Sequence, residues 1–144
     1  MLAITVDAAK AADFLTARIN MLQLPFDTDL KGYVLVCASG ASQDEGTIPG
    51  KALCYAELTG CDPYGDGFLW KFRSLYWIEP FDAADAAAPF EVDDDLIRII
   101  PGFIEPIDAF NEFYRPAFVG DDTHWQRLLD VFAVEDEDED PGFW

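Results

Sequence analysis

Positive charge is scarce in this chain: nine Lys and Arg stand against 28 Asp and Glu, a formal net charge of −19. Binding to a phosphate backbone rests on Lys and Arg that neutralise several phosphates and release their counterions. A field of this sign therefore disfavours generic nucleic-acid binding and favours a basic protein partner, including one that itself binds nucleic acid. The acidity is not confined to one end. Six acids form the run Glu135–Asp140, and residues 1–134 still hold 22 acids against nine cations.

Other absences narrow the field further. Histidine occurs once, at 124, and the three cysteines, Cys37, Cys54 and Cys61, include no CxxC pair. That pattern argues for intracellular free thiols, not for a disulfide framework or a zinc site. No apolar run approaches the roughly 20 residues a membrane span needs. The opening Met1–Val6 stretch is too short for a secretory signal and meets Asp7 at once, so a cytoplasmic protein is expected. There is no internal repeat and no Gly-rich loop able to cradle phosphates. No cofactor and no metal are expected. What the 144 residues do contain is a large apolar fraction, 51%, with 15% aromatics, enough for one domain to bury a core unaided.

Residues 2–6 read as a short strand, and the Ala-rich stretch from Asp7 to about Asn20 as a helix with Asp7 as its N-cap. Leu24–Asp29 reads as a loop. Gly32–Ala38 is a continuous β-prone apolar run, the mark of a buried strand, and Ser39–Gly50 reads as a mobile polar loop. Lys51–Thr59 is the next strand, Asp62–Gly67 is turn chemistry, and the strand from Phe68 alternates Phe68, Trp70 and Phe72 against Leu69, Lys71 and Arg73. Beyond Pro80 come an Ala/Asp linker and short strands at Pro89–Val92 and Leu96–Ile100. Phe103, Ile107, Phe110 and Tyr114 then fall at helical spacing. A second helix starts near Asp121–Thr123, with Trp125, Leu128, Leu129 and Phe132 on one side. The expected class is α+β: a small mixed β-barrel over 1–100 with an N-terminal helix, a helical extension over 101–134, and an acidic disordered tail over 135–144. The closing Phe143-Trp144 pair is either a docking tag or part of that tail.

Three pieces in this order resemble the ASCH family of PUA-like small barrels: Lys31-Gly32 entering the strand that ends in Ala38-Ser39, the Gly50-Lys51 to Ala56-Glu57-Leu58 strand, and Trp70 followed by Ile78-Glu79-Pro80. The resemblance covers residues 2–92. It implies a scaffold that handles RNA, modified bases or nucleosides. Family members with a ligand site carry Gly-x-Lys-x-x-Glu-x-Arg before the first long strand; counted back without gaps, those positions fall on Ala17, Ile19, Leu22 and Leu24. Leu and Ile can neither act as a base nor accept from a base edge, so the family's amidohydrolase chemistry is not carried over. Lys10, Asp13 and Arg18 have the wrong order and spacing to replace the motif.

Among the remaining candidates, His124 with one of the cysteines would make a nucleophilic dyad, but no local signature supports it. Asp62 and Asp66 lack the ligand spacing of a calcium loop and are read as a turn. Two functions follow, with a residual amidohydrolase or other nucleoside enzyme as a third that the missing Lys and Glu disfavour. The first is a non-catalytic domain whose acidic surface, Asp62, Asp66, Asp93, Asp94, Asp95, Asp121 and Asp122, occupies the groove of a basic partner in the manner of a phage-type inhibitor, a DNA mimic or an immunity protein. The second is RNA or modified-nucleobase binding by Trp70, Lys71, Arg73 and Trp77, where cations alternate with stacking aromatics.

Overall fold

The apolar run at Gly32–Ala38 becomes a strand buried on both sides, and the rest of the molecule is arranged around it. The computed structural model describes residues 1–40, 46–120 and 125–126. Its strands are β1 (Leu2–Val6), β2 (Met21–Leu24), β3 (Gly32–Ala38), β4 (Lys51–Tyr64), β5 (Gly67–Asp82) and β6 (Phe90–Glu91), and its α-helices are α1 (Ala8–Leu15) and α2 (Pro106–Ala109). The strands form one six-stranded mixed sheet in the order β2-β5-β4-β3-β1-β6. Among the described strands only β1 and β3 run parallel. The protein is thus a small α+β chain, and its mixed sheet is compatible with a barrel-like fold.

The β4–β5 hairpin is the long element, and it reaches further than the sequence pattern suggests. Pairing runs out to Tyr64 opposite Gly67, leaving only Gly65 and Asp66 in the turn. Gly65 takes φ +57 there, as the first position of a II′ hairpin turn requires. Three register slips interrupt the ladder. One matters most: Glu57 pairs with Arg73 and Tyr55 with Tyr76, so β5 holds one extra residue between the two pairs. The bulge centres on Ser74, which adopts φ +58. An inserted residue shifts the side-chain alternation by one. Phe72 and Leu75, three apart, therefore both enter the core, while Arg73 and Tyr76 both lie exposed.

Helix α1 begins as expected, with the Asp7 carboxylate accepting from Ala9 N at 3.2 Å, but it ends at Leu15, well short of Asn20. Ala17 adopts the left-handed conformation at φ +60, and Arg18 N donates to Asp13 O at 2.9 Å, the hydrogen bonding of a Schellman stop. The chain released early supplies β2, a strand in the gap between the expected helix end near Asn20 and the expected loop from Leu24. β2 pairs with the first residues of β5, Leu24 opposite Phe68. A Cβ on Gly67 would lie 2.6 Å from Leu24 O, so this close approach needs glycine.

One core lies on the α1 side of the sheet and includes Phe14, Val34, Val36, Leu58, Trp70, Phe72 and Trp77. Phe110, Tyr114 and Trp125 belong to the same core. The helix expected over Phe103–Tyr114 is shorter: Pro106 opens α2, and Phe110–Tyr114 continues as a π-helical turn before a 3₁₀ turn at Arg115–Ala117. Trp125 stacks on Phe110 with ring centroids 4.8 Å apart and donates to Gly46 O at 2.7 Å. Residues 46–50 are not the mobile loop expected. Gly46 N and Val119 N bond to Val119 O and Thr47 O at 2.9 Å each, and Ile48 is buried. The strand expected at Leu96–Ile100 is instead a 3₁₀ turn at Asp94–Leu96 and a single bridge, Ile99 to Ile78. The linker after Pro80 is tethered by a Ser39 Oγ to Asp85 hydrogen bond of 2.9 Å. The expected second C-terminal helix is described only at Trp125 and Gln126, both helical; the acidic run and Phe143-Trp144 lie outside the described residues. No described helix is long and apolar enough to cross a membrane.

Candidate functional site

On the sheet face away from α1, three tyrosines come from three neighbouring strands: Tyr33 on β3, Tyr55 on β4 and Tyr76 on β5. The register explains the grouping. Leu35, Tyr55 and Tyr76 pair across one row of the ladder, and Tyr33, Glu57 and Arg73 across the next. Tyr55 and Tyr76 stack at 5.2 Å with their planes 29° apart. Tyr33 meets Tyr55 edge-on at 5.4 Å and Tyr76 at 6.3 Å. Both geometries suit the ring quadrupole. Tyr33 is 45% and Tyr76 37% exposed, so this is an open aromatic floor. Partial burial, then the neighbouring Tyr76 and Tyr33, raise the Tyr55 hydroxyl above its ordinary pKa.

The segment after β6 forms the opposite wall. Asp94, Ile97 and Ile99 close a cleft of about 430 Å³ over the three tyrosines, a size suited to a small ligand or a partner's side chain. A second depression of about 260 Å³ shares Tyr55, Tyr76 and Ile99 and continues over Ile100, Pro101 and Ile104. Phe103, 87% exposed, stands on the same stretch of chain. Asp94 Oδ1 accepts from the Met1 amino group at 2.7 Å, while its Oδ2 has no hydrogen bond among the described residues. The side chain of Arg73 donates through Nε to Glu57 Oε1 at 2.9 Å. This carboxylate raises the guanidinium pKa first, and the Tyr33 hydroxyl adds a smaller push in the same direction.

The acids proposed for protein binding occupy several places. Asp66 is exposed at the tip of the β4–β5 hairpin. Asp62, also exposed, is 2.5 Å from Lys71 Nζ. Asp93 caps the 3₁₀ turn by accepting from Asp95 N at 3.0 Å. Asp94 borders the tyrosine cleft, and Asp95 is exposed. Asp121, Asp122 and His124 lie outside the described residues.

The four residues proposed for nucleic-acid binding are not brought together. Trp70 is 0% and Trp77 3% exposed, and both face the α1 core. Their indoles donate to Phe26 O at 2.9 Å and Leu15 O at 2.8 Å, anchoring segments outside the sheet. Neither can stack on a base. Lys71 and Arg73 are exposed, but each is paired with an acid. The aromatic residues clustered on this face are Tyr33, Tyr55 and Tyr76. The sequence offered no local signal for it, because the three meet only through strand register.

Of the positions aligned with the ASCH ligand motif, Ala17 terminates α1, Ile19 is half-buried, and Leu22 and Leu24 are buried on β2. Lys10 lines a separate cleft with Asp7 and β2, and Asp13 and Arg18 pair loosely at 3.9 Å. All three cysteine thiols are raised above their ordinary value, with burial as the first cause. Burial pushes the Cys37 thiol up to about 12. Burial, with Cys37 as a lesser cause, raises Cys54 well above its ordinary value. Cys61, half-buried, points its thiol at Asp27 Oδ1, 3.6 Å away, and burial is again the first cause of its raised pKa. No protein-family model matches the chain, and a search of the curated proteins finds no match either.

Proposed function

We propose that this chain is a non-catalytic interaction domain, built on an ASCH-type PUA-like scaffold that has lost its polar ligand motif, and that its acidic surface engages a basic protein. One observation carries the reading. All three cations of the β4–β5 hairpin are spoken for by the hairpin's own acids: Lys51 by Asp82, Lys71 by Asp62 and Arg73 by Glu57. A surface that tracks phosphates needs uncompensated Lys and Arg along one face. This hairpin has none, while Asp66, Asp93 and Asp95 remain exposed. Exposed carboxylates on a strongly acidic chain attract the Lys and Arg of a nucleic-acid-binding protein into contacts they otherwise make with phosphates, which gives fast, salt-sensitive association. The phage inhibitor, the DNA mimic and the immunity protein are all roles of this kind.

The test is a titration of the full chain with an oligoarginine peptide and, separately, with single-stranded oligouridine, at low and at physiological salt. The peptide binds and loses affinity as salt rises; the RNA gives no signal. RNA binding without peptide binding overturns the reading. A second reading, recognition of an unpaired or modified nucleobase, draws on the stacked Tyr55–Tyr76 pair, since an exposed π-face accepts a base. In that case the RNA arm of the titration is the positive one.

A further inference from the structure

We infer that the cleft over Tyr33, Tyr55 and Tyr76 is the arginine-binding pocket of this surface, taking one guanidinium side chain from the basic partner. The inference rests on the proposed basic partner and names the contact at its centre. Three features converge on this occupant. The floor is aromatic and open, and a guanidinium plane stacks on a tyrosine face while keeping its edge N–H groups free to donate. The wall is aliphatic. Ile97 and Ile99 both line the cleft, so the alternation of an extended segment turns Arg98 away from it and leaves an apolar side for the methylene stem. The rim offers one acceptor oxygen, Asp94 Oδ2, on a carboxylate whose Oδ1 is already held at 2.7 Å by the Met1 amino group, which also lines the cleft.

The molecule already contains a small version of this contact. Arg73 shares a ladder row with Tyr33, with Glu57 between them, and its guanidinium is held by that carboxylate at 2.9 Å, so the same face already pairs one arginine with an acid. The cleft, about 430 Å³, lies in the range of ligand pockets. The net charge of −19 favours a cation over a neutral or anionic side chain. Lysine, a strongly hydrated point charge, lacks the planar stack and fits this floor less well.

The experiment follows the aromatic ring resonances of the full chain by NMR during titration with an oligoarginine peptide, its oligolysine counterpart and oligouridine. The tyrosine rings shift with oligoarginine, and affinity for oligolysine is lower. Tyr76→Ala weakens oligoarginine binding about three- to tenfold beyond the modest loss of melting temperature that removing its stack on Tyr55 brings, whereas Tyr76→Phe, which keeps the ring, retains both. If oligoarginine binds but the rings do not shift and Tyr76→Ala is silent, this inference falls and the basic-partner reading stands. If oligoarginine does not bind at all, both fall. Equal affinity for oligolysine overturns the guanidinium assignment, and ring shifts with oligouridine alone hand the cleft to the nucleobase reading.

Discussion

The hydroxyl of Tyr114 lies 2.8 Å from the carbonyl of Ile78 and, at the same time, 2.9 Å from that of Leu53. Both carbonyls belong to the stretch of β4 and β5 where the register slips between Ala52 and Cys54. One side chain from the π-helical turn thus bridges the strands where their own ladder is irregular. Its ring meets Trp77 edge-on at 5.2 Å, which ties the C-terminal segment to the core.

Removal of this hydroxyl tests how much the bridge contributes. Tyr114→Phe keeps the ring packing and removes the single O–H donor that the two buried carbonyls share, a loss of about 1–3 kcal/mol. Equilibrium urea unfolding is expected to show a lower midpoint with an unchanged slope. An unchanged midpoint means that the carbonyls are satisfied without Tyr114.

Ala17 and its neighbours show what a sequence pattern leaves out. The Asp7 cap, strands β1 and β3 and the inside–outside alternation of Phe68–Arg73 were legible because each depends on local propensity and period. The stop after Leu15 was not. Alanine is the strongest helix former, and nothing in Ala17-Arg18-Ile19 announces a left-handed residue; packing decides it. Strand β2 was hidden for the same reason, since its pairing partner lies more than forty residues on. The tyrosine floor depends on the extra residue at Ser74, and a serine does not advertise a bulge. Trp70 and Trp77 were placed beside the cations by sequence, but their indoles serve buried backbone carbonyls.

The left-handed alanine is a removable strain. For an L-residue with a Cβ this conformation costs about 1–2 kcal/mol, and glycine avoids it. Ala17→Gly is therefore expected to raise the melting temperature, less the entropy glycine loses on folding, for a net gain of about 0.5–1 kcal/mol. A drop in melting temperature would show that the methyl's packing against the core outweighs the strain.

Ser74 offers a test that reaches the cleft. Ser74→Gly keeps the bulge at φ +58 without its strain, whereas Ser74→Val puts a β-branched side chain where it is least tolerated. The valine variant is expected to lose about 1–3 kcal/mol and to disturb the ring resonances of Tyr55 and Tyr76, which sit beside the bulge. The glycine variant preserves them. Equal spectra for both variants would disconnect the bulge from the tyrosine floor.

Alkaline pH should destabilise the protein progressively from about pH 9 upward. Cys37 has its thiol raised from 9.0 to about 12 by burial, and Cys54 and Tyr114 are raised in the same sense and for the same first cause. The neutral form is the one the fold holds. Above about pH 9 the unfolded chain gives up thiol protons that the folded chain retains, so stability is full below that pH and declines through to about 12. Melting temperature measured from neutral to strongly alkaline pH is expected to be flat and then fall. Cys37→Ala lowers the neutral value, by leaving a small cavity, and makes the alkaline fall shallower. An equally steep fall in the variant would assign the alkaline loss to the other buried groups.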